Sequence, residues 1–275
     1  MNRAPVYVFK DALESRKFGD WIKENLEEIK KRAESTSSVA ELKNIEQYGV
    51  SKMRWLRFNY LTGDAAGQNM VTKATREACL WINENSPFEI KKFSLASGMD
   101  TDKKYSLLNS LHTRGKKVVA EIVLPKDILK DIMHVDVKDI SYLRTLSILG
   151  SQMAGAANNG AHSPNALAAM FIATGQDVAN LAESSSAYGY GEILDNGDFY
   201  YSITLPSLIV ATYGGGTGLP TQKECLEIMD CYGKGKVNKL AEIMAAVVLC
   251  GEFSLAAAVA ADEWVSSHEK YGRNR

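Results

Sequence analysis

Apolar positions along the chain recur with two periods, near 3.6 and near 2, and the points where one gives way to the other mark the elements. Val6 to Phe9, β-branched and aromatic after Pro5, predicts a strand. Leu13, Phe18, Trp21, Ile22 and Leu26, spaced near a helical turn with charges between them, predict a helix over Asp11 to Asn25 with one buried face. Charged helix continues through Lys31 and Arg32, where the KKR run reads as a solvated face, and Ser35 to Ser38 reads as a loop. Lys52 to Tyr60 alternates Met53, Trp55 or Leu56, Phe58 and Tyr60 with basic and polar residues, a strand exposed on one side. A helix from Met70 to Asn83 and a strand from Glu89 to Ala96 follow. The order strand, helix, strand, helix, strand suits a ferredoxin-like split βαβ unit. No GxGxxG follows a strand, so a Rossmann unit is excluded.

Beyond a turn at 97–104 the pattern predicts a helix over Tyr105 to Leu111 and a strand from Lys117 to Leu124 stopped by Pro125. Helices over Lys126 to Met133 and Asp139 to Met153 come next. Gly150, Ala154 and Ala157 then put small residues at near-helical spacing, which admits another backbone or a flat ligand. A polar turn, Asn158 to Pro164, precedes a helix starting at Asn165, whose apolar run Ala166 to Ala173 ends at Thr174-Gly175 with Asp177 just beyond. Phe199 to Thr204 and Ser207 to Thr212 read as strands on either side of Pro206. Lys239 to Val259 is a long apolar helix, the spine of the second half, and the charged tail after His268 reads as frayed. The fold class is therefore α+β, with a small unit over 1–95 and a larger α/β unit over 96–275 built on a long central helix.

Composition narrows the function more by exclusion than by pointing. With 32 basic and 33 acidic residues the net charge is −1, so no global field draws nucleic acid or an anionic membrane, and any anion site is local. The polar N-terminus has no signal-peptide core, and no apolar run of membrane-spanning length is expected. Cys79, Cys225, Cys231 and Cys250 show no CxxC pairing and read as reduced thiols of a cytoplasmic protein, with no metal site.

Three stretches carry candidate chemistry. The strand ending at Tyr60 runs through Asp64, Ala65, Gly67, Gln68 and Asn69 into a helix, a geometry that turns free backbone N–H groups toward a phosphate. Gly214, Gly215 and Gly216 imply a sharp bend or a close contact, and a tight turn explains them as well as a ligand does. The third stretch is GSQMAGAANNGAHSPNALAAMFIATGQD at 150–177. It resembles the GSxxAGxxxxxAHxxNxxxAxxxAxGQD core of hydroxymethylglutaryl-CoA reductases. The resemblance extends to TGDAAGQNMVTKAT at 62–75, SGMDTDKK at 97–104, YGGGTGLPTQ at 213–222 and GEFSLAAAVAADEWVSSHEK at 251–270.

That resemblance implies a small NADP-binding domain and NADPH-dependent reduction of an acyl-CoA thioester to an alcohol, with NADH not excluded. Lys103 matches the lysine that stabilises the oxyanion, and Asp177 the aspartate that holds it. His268 matches the histidine that protonates the departing thiolate, a task suited to a group titrating near neutral pH. Asp64, Ala65, Gly67, Gln68 and Asn69 match the dinucleotide loop, and Gly214, Gly215, Gly216 and Thr217 a second nicotinamide-dinucleotide segment. Ser97, Asp102, Lys104, His162 and Asn165 match substrate or CoA contacts. By its residue types alone Lys103 would be an exposed loop lysine.

Two departures qualify the implied substrate. Nothing corresponds to the family's glutamate segment, and Met1 to Pro5 aligns with an internal stretch, so the implied assembly is a homo-oligomer or a chain completed by another that supplies the missing part. The family's carboxylate-binding lysine is Leu146 here, with Arg144 nearby. The second reading is a non-catalytic CoA- or nucleotide-binding paralogue, or one subunit of a split reductase.

Overall fold

The alternation in the first hundred residues folds as an antiparallel sheet. In the computed structural model, which describes residues 1–272, the chain divides into a unit over Met1–Asp102 and a second from Lys103 onward. The first runs β1 (Asn2–Arg3), β2 (Val6–Val8), α1 (Ala12–Glu24), α2 (Leu26–Glu34), β3 (Glu41–Val50), β4 (Met53–Leu61), α3 (Gln68–Asn85) and β5 (Lys92–Ser94). β4 pairs with β3 from Glu41↔Leu61 to Val50↔Met53, and on its other edge with β1 and β2 in succession. β5 lies outside β2. Asp11 caps α1 through its side chain on the Glu14 N–H at 2.8 Å, which fixes the helix start that the periodicity implies.

Helix and sheet meet in an aromatic core. Phe18 lies 4.9 Å from Tyr7 and 4.7 Å from Phe9, ring to ring, and all three are fully buried. The KKR run lies outside this core, with Lys30, Lys31 and Arg32 paired to Glu34 and Glu28 at 2.8–3.9 Å. Strand β3 is not anticipated by the hydrophobic pattern. Its side chains are mostly half-buried or exposed, so ELKNIEQYGV has no clean alternation, and β4 supplies its pairing.

The second unit runs α4 (Leu107–Leu111), β6 (Lys116–Leu124), α5 (Lys126–Asp131), α6 (Val137–Met153), α7 (Ser163–Thr174), a 3₁₀ turn (Val178–Asn180) and α8 (Leu181–Ser184). β7 (Tyr188–Ile193), β8 (Phe199–Leu208), a 3₁₀ turn (Gly215–Gly218), α9 (Pro220–Ile228), α10 (Val237–Ala260) and α11 (Trp264–Tyr271) complete it. Its sheet is antiparallel, β6-β8-β7. β8 does not break at Pro206 as the sequence suggested. The register slips between Lys116↔Leu208 and Val118↔Leu205, and the irregularity absorbs the missing N–H of proline. Residues 209–212 are not strand.

α10 is apolar on all sides because it packs against β6, β8, α6 and α7, burying Leu240, Met244, Val248 and Phe253. It is long and apolar enough, by length and composition, to cross a membrane, contrary to the sequence expectation. Those buried residues belong to the core of this unit. Two other expectations change. α7 begins at Ser163 with Pro164 in its first turn, not at Asn165, because proline fits where the helix has no N–H to satisfy. The segment around His268 is helical to Tyr271, and 273–275 lie outside the described residues.

Candidate active site

Lys103 begins the second unit in a left-handed backbone conformation, φ +62°, unusual for a residue with a side chain. The reason is visible beneath it. Its N–H donates to Glu183 Oε1 at 3.0 Å. Glu183 is 1% exposed and also accepts from Arg114 Nη1 at 2.5 Å and from Asn109 Nδ2 at 3.1 Å. Arg114 and Asn109 are themselves buried, so the carboxylate is held on several sides in a site closed to water.

The other end of Lys103 points to a second acid. Its Nζ is 3.9 Å from Asp177 Oδ2, with both side chains part-exposed. Asp177 caps the 3₁₀ turn, taking the Ala179 N–H at 3.0 Å, and that turn runs on into α8, which carries Glu183. One short helical stretch therefore grips the lysine at its backbone and at its ammonium.

Asp177 is set in place by its neighbours. Gly175 ends α7 at φ +68°, and a Cβ there would strike the Gly216 carbonyl. Gly216 in turn leaves no room for a side chain, since its Cβ would lie 2.7 Å from the Gly175 oxygen. Gln176, buried, exchanges hydrogen bonds with Ala211, accepting at 2.7 Å and donating at 2.9 Å. The glycines at 214–216 provide a left-handed turn at Gly214 and Gly215 and a backbone contact at Gly216. Thr217 is buried, its hydroxyl on the Gly214 carbonyl at 2.7 Å.

The AH turn is built on a third acid. Glu252 of α10, 3% exposed, accepts the N–H groups of Ala161, His162 and Ser163 at 2.8–2.9 Å and so anchors the start of α7. The His162 ring packs over Gly251, where a Cβ would collide with it. Asn165 is exposed in the first turn of α7, and its side chain makes no hydrogen bond among the described residues. His268 is exposed on α11, with Nδ1 2.7 Å from the Trp264 carbonyl and its ring edge-on to the indole at 5.7 Å. Lys104 is exposed beside Lys103. At Gly150 a Cβ would meet nothing within 4 Å among the described residues.

In the first unit, the loop carrying Asp64 to Gly67 connects β4 to α3. Gly67 precedes the helix at φ +81°, where a Cβ would strike the Thr62 side chain, and Gln68 and Asn69 open the first turn. Ser97 donates its hydroxyl to the Ala4 carbonyl, and Asp102 pairs with Arg3 at 3.2 Å. Arg3 also donates to Thr72 Oγ1 of α3 at 2.7 Å.

Glu183, Arg114 and Glu252 were not singled out from sequence. A signal existed for the acids: each is isolated in an otherwise uncharged run, ANLAESSSAYGYG and LCGEFSLAAAVA, and a lone acid there is buried with partners more often than solvated.

The fold is shared with a class II 3-hydroxy-3-methylglutaryl-CoA reductase from Streptococcus pneumoniae bound to NADPH, at TM-score 0.67 and 17% identity, over 94% of this chain and 63% of that one. The model of the hydroxymethylglutaryl-coenzyme A reductase family matches residues 1–273. The chain belongs to that family. It is 39% identical to the 3-hydroxy-3-methylglutaryl-coenzyme A reductase of Aeropyrum pernix, over 99% of this chain and 66% of the relative. To the enzyme of that name from Methanocaldococcus jannaschii it is 40% identical, over 99% and 68%. The chain spans about two thirds of the length of these relatives.

Proposed function

We propose that this chain is an oxidoreductase that uses NADPH to reduce an acyl-CoA thioester to an alcohol, with hydroxymethylglutaryl-CoA or a close relative as substrate. The observation that carries this is the two-point hold on Lys103, Asp177 at its Nζ and Glu183 at its N–H. An ammonium fixed beside a carboxylate in a partly open site is suited to meet the negative charge that grows on a thioester carbonyl oxygen. The family and the names of its relatives supply the reaction class.

Two NADPH molecules in turn would each supply one hydride, the first taking the thioester to a hemithioacetal, which collapses to aldehyde and thiolate, and the second taking the aldehyde to the alcohol. Lys103 stabilises the oxygen in each reduction, and Asp177 aims the ammonium. His268 Nε2, left open because Nδ1 faces the Trp264 carbonyl, protonates the sulfur released as CoA thiol. The small unit is the dinucleotide-binding domain in this reading, of the ferredoxin-like kind. The tight Gly67 turn and the first N–H groups of α3 suit a phosphate, and Gly214 to Thr217 provide the second segment. The Streptococcus pneumoniae reductase of the same fold is bound to NADPH, which supports the cofactor. Ser97, Asp102, Lys104, His162 and Asn165 are assigned to the acyl-CoA. A homo-oligomer is supported by apolar side chains left open on α6, with Tyr142 66% and Met153 90% exposed. Four unpaired cysteines support a reducing, cytoplasmic setting.

The test is NADPH oxidation by the purified chain with hydroxymethylglutaryl-CoA. Lys103→Ala is expected to abolish turnover, a loss of at least about a thousandfold, with NADPH affinity changed less than about twofold as judged by fluorescence titration. Turnover surviving in that variant would remove Lys103 from its role.

A further inference from the structure

Nδ1 of His162 is buried and has no hydrogen-bond partner among the described residues. Nε2 is not enclosed in this way and makes no hydrogen bond among them either. The ring thus has one nitrogen shut inside the second unit and one left open, and the surroundings fix which is which.

The backbone is held on two sides. Oε1 of Glu252 accepts the N–H groups of His162 and Ser163, each at 2.8 Å, and Oε2 accepts that of Ala161 at 2.9 Å. These donors stand at the start of α7, where no carbonyl of the helix reaches them and the capping residue offers no side-chain bond. Opposite, the Ser163 hydroxyl donates to the Ser185 carbonyl at 2.6 Å, and the Asn159 and Gly160 N–H groups share the Ala187 carbonyl at 3.1 Å. The ring has a seat of its own. A Cβ at Gly251 would lie 2.1 Å from Nδ1 and 2.4 Å from Cε1. Glycine weakens the interior of a helix, and α10 carries one here, beside Glu252, where any side chain would push the imidazole away.

A singly protonated imidazole can hold its proton on either nitrogen. On Nδ1 it would be a buried N–H facing no acceptor. On Nε2 it leaves Nδ1 as an unfilled acceptor, and buried donors without partners are the rarer of the two in folded chains. The seat therefore selects the Nε2–H form.

We propose that Gly251 and Glu252 are positioning residues that hold His162 with its proton on Nε2, so that it donates a hydrogen bond to an oxygen of the acyl-CoA and takes no proton in the reaction. This rests on the reading that assigns His162 to the acyl-CoA. The two histidines then divide the work: His268 gives up a proton to the leaving sulfur, and His162 keeps its own. A ligand oxygen is matched at this point, whereas a ligand group that must donate there is refused.

The experiment is nitrogen NMR of the full chain carrying isotope-labelled histidine. Four histidines are present, and His162→Gln identifies the resonances of His162. Its proton is expected on Nε2 in the parent. Gly251→Ala, which displaces a side chain and not the backbone, is expected to mix the two forms and to weaken hydroxymethylglutaryl-CoA about tenfold in isothermal titration, the worth of one hydrogen bond. Glu252→Gln turns an amide NH2 toward one of the three donors and should do the same, and Gly251→Ala covers the case in which it does not fold. His162→Gln, which keeps a donor, should bind the ester about tenfold more tightly than His162→Met. A parent with the proton on Nδ1, a Gly251→Ala variant that matches the parent in both readouts, or equal binding by the two His162 variants overturns the proposal. A proton on Nε2 in a chain that binds no ester overturns the donor role together with the reading on which it rests.

Discussion

Glu183 shows how much one residue can decide. It is buried with Arg114, and removing either partner leaves the other charged in a site that water does not reach. Glu183→Ala is therefore expected to lower stability by about 3–5 kcal/mol, read as a shift in the urea midpoint at constant slope. Glu183→Gln keeps the shape and an acceptor for the Lys103 N–H but not the charge. It should fold and lose roughly tenfold or more in kcat with little change in KM, because what it disturbs is the aim of the ammonium. An unaltered kcat in a folded Gln variant would show that the left-handed turn at Lys103 holds itself.

At the scale of elements, the contact between the end of α7 and the GGGT turn is the joint on which Asp177 depends. Gly175→Ala puts a side chain into a left-handed position and against the Gly216 carbonyl. A loss of about 1–3 kcal/mol is expected in thermal or urea melts. Elements are also where sequence reading succeeded and failed for identifiable reasons. α1, α3, α6, α7 and α10 were legible because each has a capping residue, a long run or a steady apolar face. β3 was not, since its partner β4 and not its own alternation defines it, and β7 was missed because YGYGEI has two glycines where strand residues are expected. Pro206 suggested a break that a register slip in β8 accommodates. Of the candidate site, Lys103 and Asp177 lie 3.9 Å apart, whereas the buried acids Glu183 and Glu252 lie far along the chain from what they hold. Contacts such as Lys103 to Glu183, 80 residues apart, leave no local pattern to read.

For the molecule as a whole, the buried acids that ionise late set its behaviour at high pH. Burial pushes the Cys79 thiol from 9.0 up to about 12 and raises the Tyr7 phenol well above its ordinary value. Such groups are neutral in both states below pH 9, so the stability they contribute is fully present there. It is lost as pH rises through the interval from about 9 to about 12, where the unfolded chain ionises and the folded chain resists. Melting temperature should fall across that interval, and Cys79→Ala should flatten part of the slope. In the native protein at pH 8, alkylation should mark exposed Cys250 and spare Cys79. A Cys79 that reacts at the rate of Cys250 would contradict the burial seen for it.

Helix α11 has a consequence of its own. None of its residues is buried, Asp262 before it takes a left-handed turn at φ +58°, and a tie at its root is the 2.8 Å contact between His134 and Glu263. Such a helix opens without the rest of the fold, so its amides should exchange with deuterium orders of magnitude sooner than those of α10, and a protease should cut there first. In the proposed reaction His268 carries its proton on this segment, so the ease with which α11 opens sets how often the donor is in place.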